Sequence, residues 1–570
     1  MNKYQSVQRT ITRTGQRNGG EILIAALRCN GADRMFGVPG ESALPIFDAL
    51  YEEDSGVRFV VCRHEGTASH MAEADAKISG RPGICVVSRG PGAMQAAIGL
   101  HTAWQDSTPM ILIVGQVPSG FRGREAFQEM DYVRTFDDMT KWVAEVNSVD
   151  RIPELVSRAF HVAMQGRPGP VVLSIPEDVL SATSDVADAA PATVIDAAPS
   201  ASQMAEVEKL LGQAKRPLVI VGNLGWTPEA AAKFRAFVER NDLPVVAGFR
   251  SQDVLDNCCE QYIGDISLGC SRPLMEHVKA SDLLLVVGDR LGDVTTNHYS
   301  LFDVPTPNQV LIHVFPGPDE LGRVYVPTLG IPARSSRFAE ALAELNTLES
   351  SGWAAWRAKM RKAYVDYQMP RTDLQSFDLA KVISHLNDAL PDNAVITNGA
   401  GNYTIWLHRY YRYRRLGTQI APKSGSMGYG LPAAIAAQLR YPERKVICLA
   451  GDGCFMMASQ EFATAVQQHL PIVIIIVNNA MYGSIRMHQE LNFPHRPSGT
   501  DLLNPDFAAL ARCYGAFGEA IERHEDFPGA FARALEAGKP AIIELRVNRM
   551  QITPDRVLSK DDVAHLDSDA

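Results

Sequence analysis

Two short runs carry the clearest hydrophobic pattern. "KVICLA" (445–450) and "PIVIIIV" (471–477) place apolar, largely β-branched residues at consecutive positions, not alternate ones. Strands of this kind are buried on both faces, as in a parallel sheet covered by helices. Between them, "SQEFATAVQQH" spaces Phe462, Ala465 and Val466 along one helical face. Strand, helix and strand together predict a right-handed βαβ crossover. Upstream, "PLVIVGN", "LLLVVGD" and "QVLIHVFPG" repeat the theme, each apolar run closing in Gly or Pro. The pattern predicts an α/β protein of doubly wound, mostly parallel sheets.

A chain of 570 residues exceeds what one core can organise, so about two to four domains are expected. The expected boundaries are a first domain at 18–182, a linker at 183–203, a central domain at 204–347, a linker helix at 348–375, a third domain at 376–550 and a tail at 551–570. The first linker, "TSDVADAAPATVIDAAPSASQ", is rich in Ala, Pro, Ser and Asp; the second contains "WAAWRAKMRKAYVDYQ". Domains one and three echo each other. "RPGICVVSRGPGAMQAAI" and "ERKVICLAGDGCFMMASQ" both read as strand, Gly-x-Gly turn and helix start. Two related α/β units with a third between them are expected.

The formal charge of −10 argues against nucleic acid as a partner, since phosphate backbones need a basic face. Nine cysteines include no Cys-x-x-Cys pair, and Cys258 and Cys259 are adjacent, which suits a reduced, cytoplasmic protein. The N-terminal "MNKYQSVQRTITRTGQRNGG" is polar and basic, without the apolar core of a signal peptide. No apolar run reaches transmembrane length, so no membrane partner is expected.

The candidate chemistry lies at two turns. "GDGCFMMASQ" begins at Gly451, just past the first of the two apolar runs, and "NNAMYG" begins at Asn478, just past the second. Asp452 and Asn479 therefore fall at the carboxyl ends of neighbouring strands, where open α/β sheets bind ligands. Magnesium takes hard oxygen donors. Asp452 would supply a carboxylate oxygen, Asn479 an amide oxygen and Met481 a main-chain carbonyl, leaving places for diphosphate oxygens and water. Gly451 and Gly453 let the backbone approach phosphates, and the helix opening through Cys454 favours their charge. Either turn alone reads as an ordinary tight turn; the pair at this spacing reads as a diphosphate site.

With "FGVPGESALPIFDAL", "RHEGTASHMAEADAKISGRPG", "AFQE" and "GSMGYGLPAAIAA", this motif resembles the thiamine diphosphate enzymes, most of all the acetohydroxyacid (acetolactate) synthase branch. The resemblance spans nearly the whole chain. It implies a pyrimidine-binding domain, a central Rossmann-like domain and a diphosphate-binding domain, in that order. It implies thiamine diphosphate and Mg2+ as cofactors, with a small 2-keto acid as substrate. It also implies a homodimer or homotetramer with active sites between subunits. Glu65 occupies the position of the glutamate that shares a proton with N1′ of the aminopyrimidine; on local sequence alone it reads as a surface residue beside Arg63 and His64. Met427 matches the apolar wedge that bends the cofactor, with a core methionine as the alternative. Gly425 and Met427 offer backbone groups to the aminopyrimidine, and Gly401 and Asn402 match a position beside the diphosphate.

The chain also departs from that branch. Glu41, in Pro39-Gly40-Glu41-Ser42, stands where the synthases have glycine and simple decarboxylases an aspartate. It is either an extra acid at the reacting carbon or a helix-start glutamate. Phe127 and Gln128 follow the synthases, where decarboxylases carry paired histidines; both are assigned to the substrate pocket, with Gln128 among the catalytic candidates. Gln252 replaces a lysine and His488 a tryptophan, and both are assigned to that pocket too. In the central domain, "GDISLGCS" and "IHVFPGPDELG" depart from the flavin-binding segments, although "GDRLGDVTT" keeps a likeness, so FAD is the less favoured implication. Three functions stay open: carboligation of the acetolactate synthase kind, plain 2-keto acid decarboxylation or a related lyase, and a catalytically silent cofactor-binding paralogue.

Overall fold

The computed structural model describes residues 15–51, 55–348, 352–370 and 377–558. Most of the polar N-terminal arm and the end of the C-terminal tail lie outside these residues.

The first domain is a six-stranded parallel sheet. Its strands are β1 (Arg34–Gly37), β2 (Arg58–Val61), β3 (Gly83–Val87), β4 (Met110–Gln116), β5 (Trp142–Glu145) and β6 (Pro170–Pro176). They lie in the order β2-β1-β3-β4-β6-β5. Every residue of β3, β4 and β6 is buried, as their unbroken apolar runs require. Ile22, Leu23 and Leu27 of helix Gly19–Cys29 share a core with Ile84, Ile111 and Leu173. That helix starts in a capping box, Asn18 and Glu21 each accepting from the other's main-chain N–H. Helix Glu65–Ser79 lies so close to β3 that a Cβ on Gly83 would fall 1.8 Å from the carbonyl of Ala72. Glycine at the start of β3 thus fixes how deeply the helix bearing Glu65 is seated.

The central sheet contains β7 (Pro217–Val221), β8 (Val245–Ala247), β9 (Tyr262–Asp265), β10 (Leu283–Val287), β11 (Val310–Val314) and β12 (Leu329–Ile331). Its order is β9-β8-β7-β10-β11-β12, all parallel, the arrangement of a Rossmann sheet. The third sheet contains β13 (Val395–Asn398), β14 (Gln419–Ile420), β15 (Val446–Gly451), β16 (Val473–Asn478), β17 (Phe517–Ile521) and β18 (Ala541–Arg546). Its order is β14-β13-β15-β16-β18-β17, again all parallel. First and third sheets therefore share one winding, second-first-third-fourth-sixth-fifth. The two segments that echo each other in sequence supply the third strand of each.

Central and third domains meet through a buried polar seam. The main-chain N–H of Gln252 donates to the side chain of Gln419 at 2.9 Å, and the Gln419 amide donates back to the Gln252 side chain at 3.0 Å. The Gln252 amide also donates to the carbonyl of His408 and to Asp265. Asp253 accepts three successive main-chain N–H groups, from Gly417, Thr418 and Gln419. Ser267 donates to the other oxygen of Asp265. Burial drives the His408 imidazole down to about 3, so it is neutral in the fold.

Burial also lifts the Asp265 carboxyl to about 7. The folded chain thus holds this proton more tightly than the unfolded chain, whose carboxyl titrates near the ordinary 3.8. The stabilising contribution is complete below about pH 4 and is lost as pH rises to about 7, at up to about 1.4 kcal/mol per unit. Calorimetric melting across that window should show a falling midpoint in the wild type, and Asp265→Asn should make the fall shallower, the remainder coming in part from Asp253, whose carboxyl burial lifts to about 6.

Candidate active site

The carboxyl ends of β13, β15 and β16 are adjacent, and their loops line one cleft. Counted out to its mouth it measures about 970 Å3. Gly401 and Asn402 follow β13, Gly451 to Cys454 close β15, and Asn479 and Met481 follow β16; Gly425 and Met427 complete the wall. The structure therefore gathers all ten of the predicted cofactor residues around one cavity.

Asp452 is 2% exposed. Burial raises its proton affinity above the ordinary carboxylate value, while N–H groups of Gly453, Asn504 and Ala480 pull it back. The Asn504 amide donates to Asp452 at 2.7 Å and to the Asn478 side chain at 3.0 Å. Asn478 in turn donates to buried Glu544 at 2.8 Å. The two neighbouring asparagines thus divide their work. Asn478 anchors the polar relay, and Asn479 lines the cleft. Ala480, which follows, adopts a left-handed φ of 52°, turning the chain so that Met481 also reaches the cleft.

Oxygen donors of Asp452, Asn479 and the Met481 main chain suit a hard cation that also binds phosphate. Among the described residues no group of three His, Cys, Asp or Glu side chains could hold a metal. A cation here would depend on amide, carbonyl and ligand oxygens, the donor set that magnesium accepts. The glycines leave room for neighbouring side chains of the cleft. A Cβ on Gly453 would fall 2.6 Å from the Tyr482 ring, and one on Gly483 would fall 2.9 Å from the Asn479 amide. The residues present fit a cation with a diphosphate.

Met427 faces the cleft while packing against the third-domain core. Cys454 accepts from the N–H of Gly428 through sulfur at 3.3 Å, tying the Met427 loop to the end of β15. Ser484 donates to the Asn402 side chain at 2.7 Å. Neither Asn504 nor Ser484 was predicted from sequence. Asn504 offered one signal, an Asn-Pro pair ahead of helix Phe507–Cys513, which reads only as a turn.

In the first domain, Glu65 opens helix Glu65–Ser79 and is half-buried. Its carboxylate lies beside Gly92, whose missing side chain leaves room: a Cβ there would fall 3.3 Å from the Glu65 oxygen. Glu41 begins a short helical turn, its side chain 82% exposed and 3.8 Å from Arg89, which also pairs with Glu177 at 3.1 Å. Phe127 is exposed, and Gln128 holds a left-handed φ of 65°.

None of the four residues assigned to the substrate pocket, Phe127, Gln128, Gln252 and His488, is among those lining this cleft. Gln252 is 2% exposed, and its amide is committed to the interdomain seam, whose unmet carbonyl and carboxylate acceptors draw it inward. His488 is exposed on helix Gly483–Asn492, while Ser484 and Ile485, one turn earlier, line the cavity.

Comparison with known proteins agrees with this architecture. Three thiamine pyrophosphate enzyme models match the chain: the N-terminal TPP binding domain over residues 17–135, the central domain over 204–342 and the C-terminal TPP binding domain over 399–545. The acetolactate synthase isozyme 2 large subunit of Escherichia coli is 30% identical over 94% of this chain and 96% of its own length. The acetolactate synthase large subunit of Parasynechococcus marenigrum is 33% identical over 93% and 88%. The mitochondrial catalytic subunit of the Saccharomyces cerevisiae enzyme is 30% identical over 93% and 81%. A cleft at the carboxyl edge of the third sheet, with matches to all three domains, establishes that the chain belongs to the thiamine pyrophosphate enzyme family, in its acetolactate synthase branch.

Proposed function

We propose that the protein decarboxylates a 2-keto acid and joins the remaining fragment to a second carbonyl, as an acetolactate synthase-like enzyme using thiamine diphosphate and Mg2+. One observation carries the reading: Asp452 and Asn479, on adjacent strands, open onto one cleft with Met427 in its wall. Asp452, Asn479 and the Met481 carbonyl hold the cation. Gly401, Asn402, Gly451, Gly453 and Cys454 receive the diphosphate. Bound there, thiamine diphosphate supplies the nucleophilic and electron-accepting chemistry of decarboxylation. Met427, in the cleft wall, would pack against the bound cofactor and help orient it, and alignment of this kind can supply much of the rate. Glu65 would be the carboxyl that holds a proton for the cofactor's aminopyrimidine. Gln128 and Phe127 face the substrate. Glu41, an exposed carboxylate near Arg89, is the acid available for protonating the product side. Among the described residues no helix is long and apolar enough to cross a membrane. The nine cysteines, all thiols, suit a reducing, cytoplasmic setting. FAD remains the less favoured cofactor. The Asp265–Ser271 loop, where the sequence departs from the flavin segments, packs on helix Tyr403–Tyr410 so tightly that a Cβ on Gly269 would fall 2.5 Å from Ile405.

Pyruvate turnover tests the whole reading. Carbon dioxide release should require both thiamine diphosphate and magnesium and should fall by about 100-fold or more in Glu65→Gln. No release from any of a panel of keto acids would leave a silent paralogue. The products divide the first two functions: acetolactate or acetoin supports carboligation, and free aldehyde supports plain decarboxylation. A larger aldehyde share in wild type than in Glu41→Gly would identify Glu41 as the protonating acid.

The family resemblance supports a site completed by a second copy. Mixing inactive Glu65→Gln with inactive Asp452→Asn, followed by subunit exchange, should then restore about a quarter of wild-type turnover. Sites complete within one chain would stay silent in the mixture.

The Asn504 relay gives a third test. Asn504→Ala removes the amide that orients Asp452, and the magnesium concentration for half-saturation should rise by about 10–100-fold. An unchanged magnesium titration would remove Asn504 from the site.

A further inference from the structure

We propose that Arg250, a central-domain residue, positions the two cofactor loops of the third domain, Gly399–Asn402 and Pro422–Met427, through their main-chain carbonyls. The inference rests on the proposed cofactor cleft and adds a residue that contributes no atom to the cleft lining.

Arg250 follows β8 and is 2% exposed. One terminal nitrogen of its guanidinium donates to the carbonyl of Gly399 at 2.7 Å, and the other donates to the carbonyl of Pro422. Both acceptors occupy controlling positions. Gly399 leaves β13 two residues before Gly401, whose φ is 144°, and three before Asn402. Its carbonyl also receives the Asn398 amide at 2.8 Å. Pro422 opens the turn to Gly425, whose N–H donates to the same Pro422 carbonyl at 3.1 Å and whose φ is 71°. Two residues on stands Met427. A single planar fork therefore holds the starts of both loops at a fixed separation, where a compact ammonium would hold the two carbonyls less rigidly.

The surroundings hold the fork in turn. Arg250 has a left-handed φ of 53°, a conformation that persists in a non-glycine residue only when its neighbours enforce it. The Phe249 ring lies 4.8 Å from the guanidinium carbon. Next along the chain, the Ser251 hydroxyl accepts from Lys423, the residue after Pro422, at 3.1 Å. The seam residues Gln252 and Asp253 then bind Gln419 and the Gly417–Gln419 backbone. Four consecutive residues of the central domain thus grip the segment that leads into Met427.

A residue that merely joins two domains would lower stability without a particular effect on the cofactor. Arg361 provides the comparison. It also bridges main-chain carbonyls, donating to those of Asn257 at 3.0 Å, Tyr262 at 2.7 Å and Cys258 at 3.3 Å, but lines no part of the cleft and touches neither loop. The test is calorimetric titration of the full-length protein with thiamine diphosphate in the presence of magnesium, without substrate. Arg250→Ala should weaken binding by about tenfold or more, and added guanidinium should recover much of the loss. Arg250→Lys should fall between, and Arg361→Ala should bind as wild type does while melting earlier. Binding by Arg250→Ala within about twofold of wild type, no recovery with guanidinium, or an equal loss in Arg361→Ala would each overturn the assignment. Should Arg250→Ala not fold, Arg250→Lys decides: weaker binding than wild type supports the role, and equal binding rejects it. Failure of the wild type itself to bind would instead overturn the proposed function.

Discussion

A carboxylate placed almost out of water at the end of a strand is the constraint from which the rest of the site follows. Burying the Asp452 charge is costly unless donors or a cation meet it. The chain meets part of that need with the Asn504 amide and nearby main-chain N–H groups. The remainder faces the cleft, where Asn479 and the Met481 backbone add oxygens of the same hard type. An acid so placed stabilises the fold poorly by itself and binds a cation well. The glycines around it belong to the same logic, because Tyr482 and the Asn479 amide occupy the space that side chains at 453 and 483 would need.

Domains one and three show how one winding serves two tasks. Each sheet carries its third strand into a Gly-x-Gly turn, Gly90–Gly92 in one and Gly451–Gly453 in the other. In the first, the missing side chain of Gly92 leaves room for the carboxylate of Glu65. In the second, Asp452 stands between the glycines and faces the proposed cation. Backbone permissiveness at the turn is common to both; the acid lies upstream on a helix in one and inside the turn in the other. The topology accounts for where a site forms, and the loop residues account for what it does.

Legibility in the sequence followed the range of the interaction. The strands of the third sheet were readable because residues buried on both faces leave unbroken apolar runs, as in β16. Asp452 and Asn479 were readable because each lies two residues past such a run. Asn504 was not, because it meets Asp452 across 52 positions and nothing local distinguishes it from any Asn before a proline. Arg250 meets Gly399 and Pro422 across 149 and 172 positions, and its acceptors are main-chain carbonyls that leave no mark in sequence. Gln252 was assigned to the substrate by its position opposite a lysine, and its own amide instead serves the seam. His488 was assigned in the same way and is exposed.

The seam also changes how departures from the relatives should be weighed. Gln252 with Gln419, and Asn257 with Tyr413, exchange hydrogen bonds in reciprocal pairs, each giving one and accepting one. Buried amide pairs of this kind add little net stability but penalise any other register, since a shifted partner leaves donors and acceptors unmet. A seam that rejects misregistry transmits position from the central sheet to the turns that flank Met427. Gln252, Asp265 and Ser267 are joined in one brace, so a change at any of them bears on the others. A residue that differs from its counterpart at such a place carries information about how the cofactor loops are held, and carries information about substrate only through them.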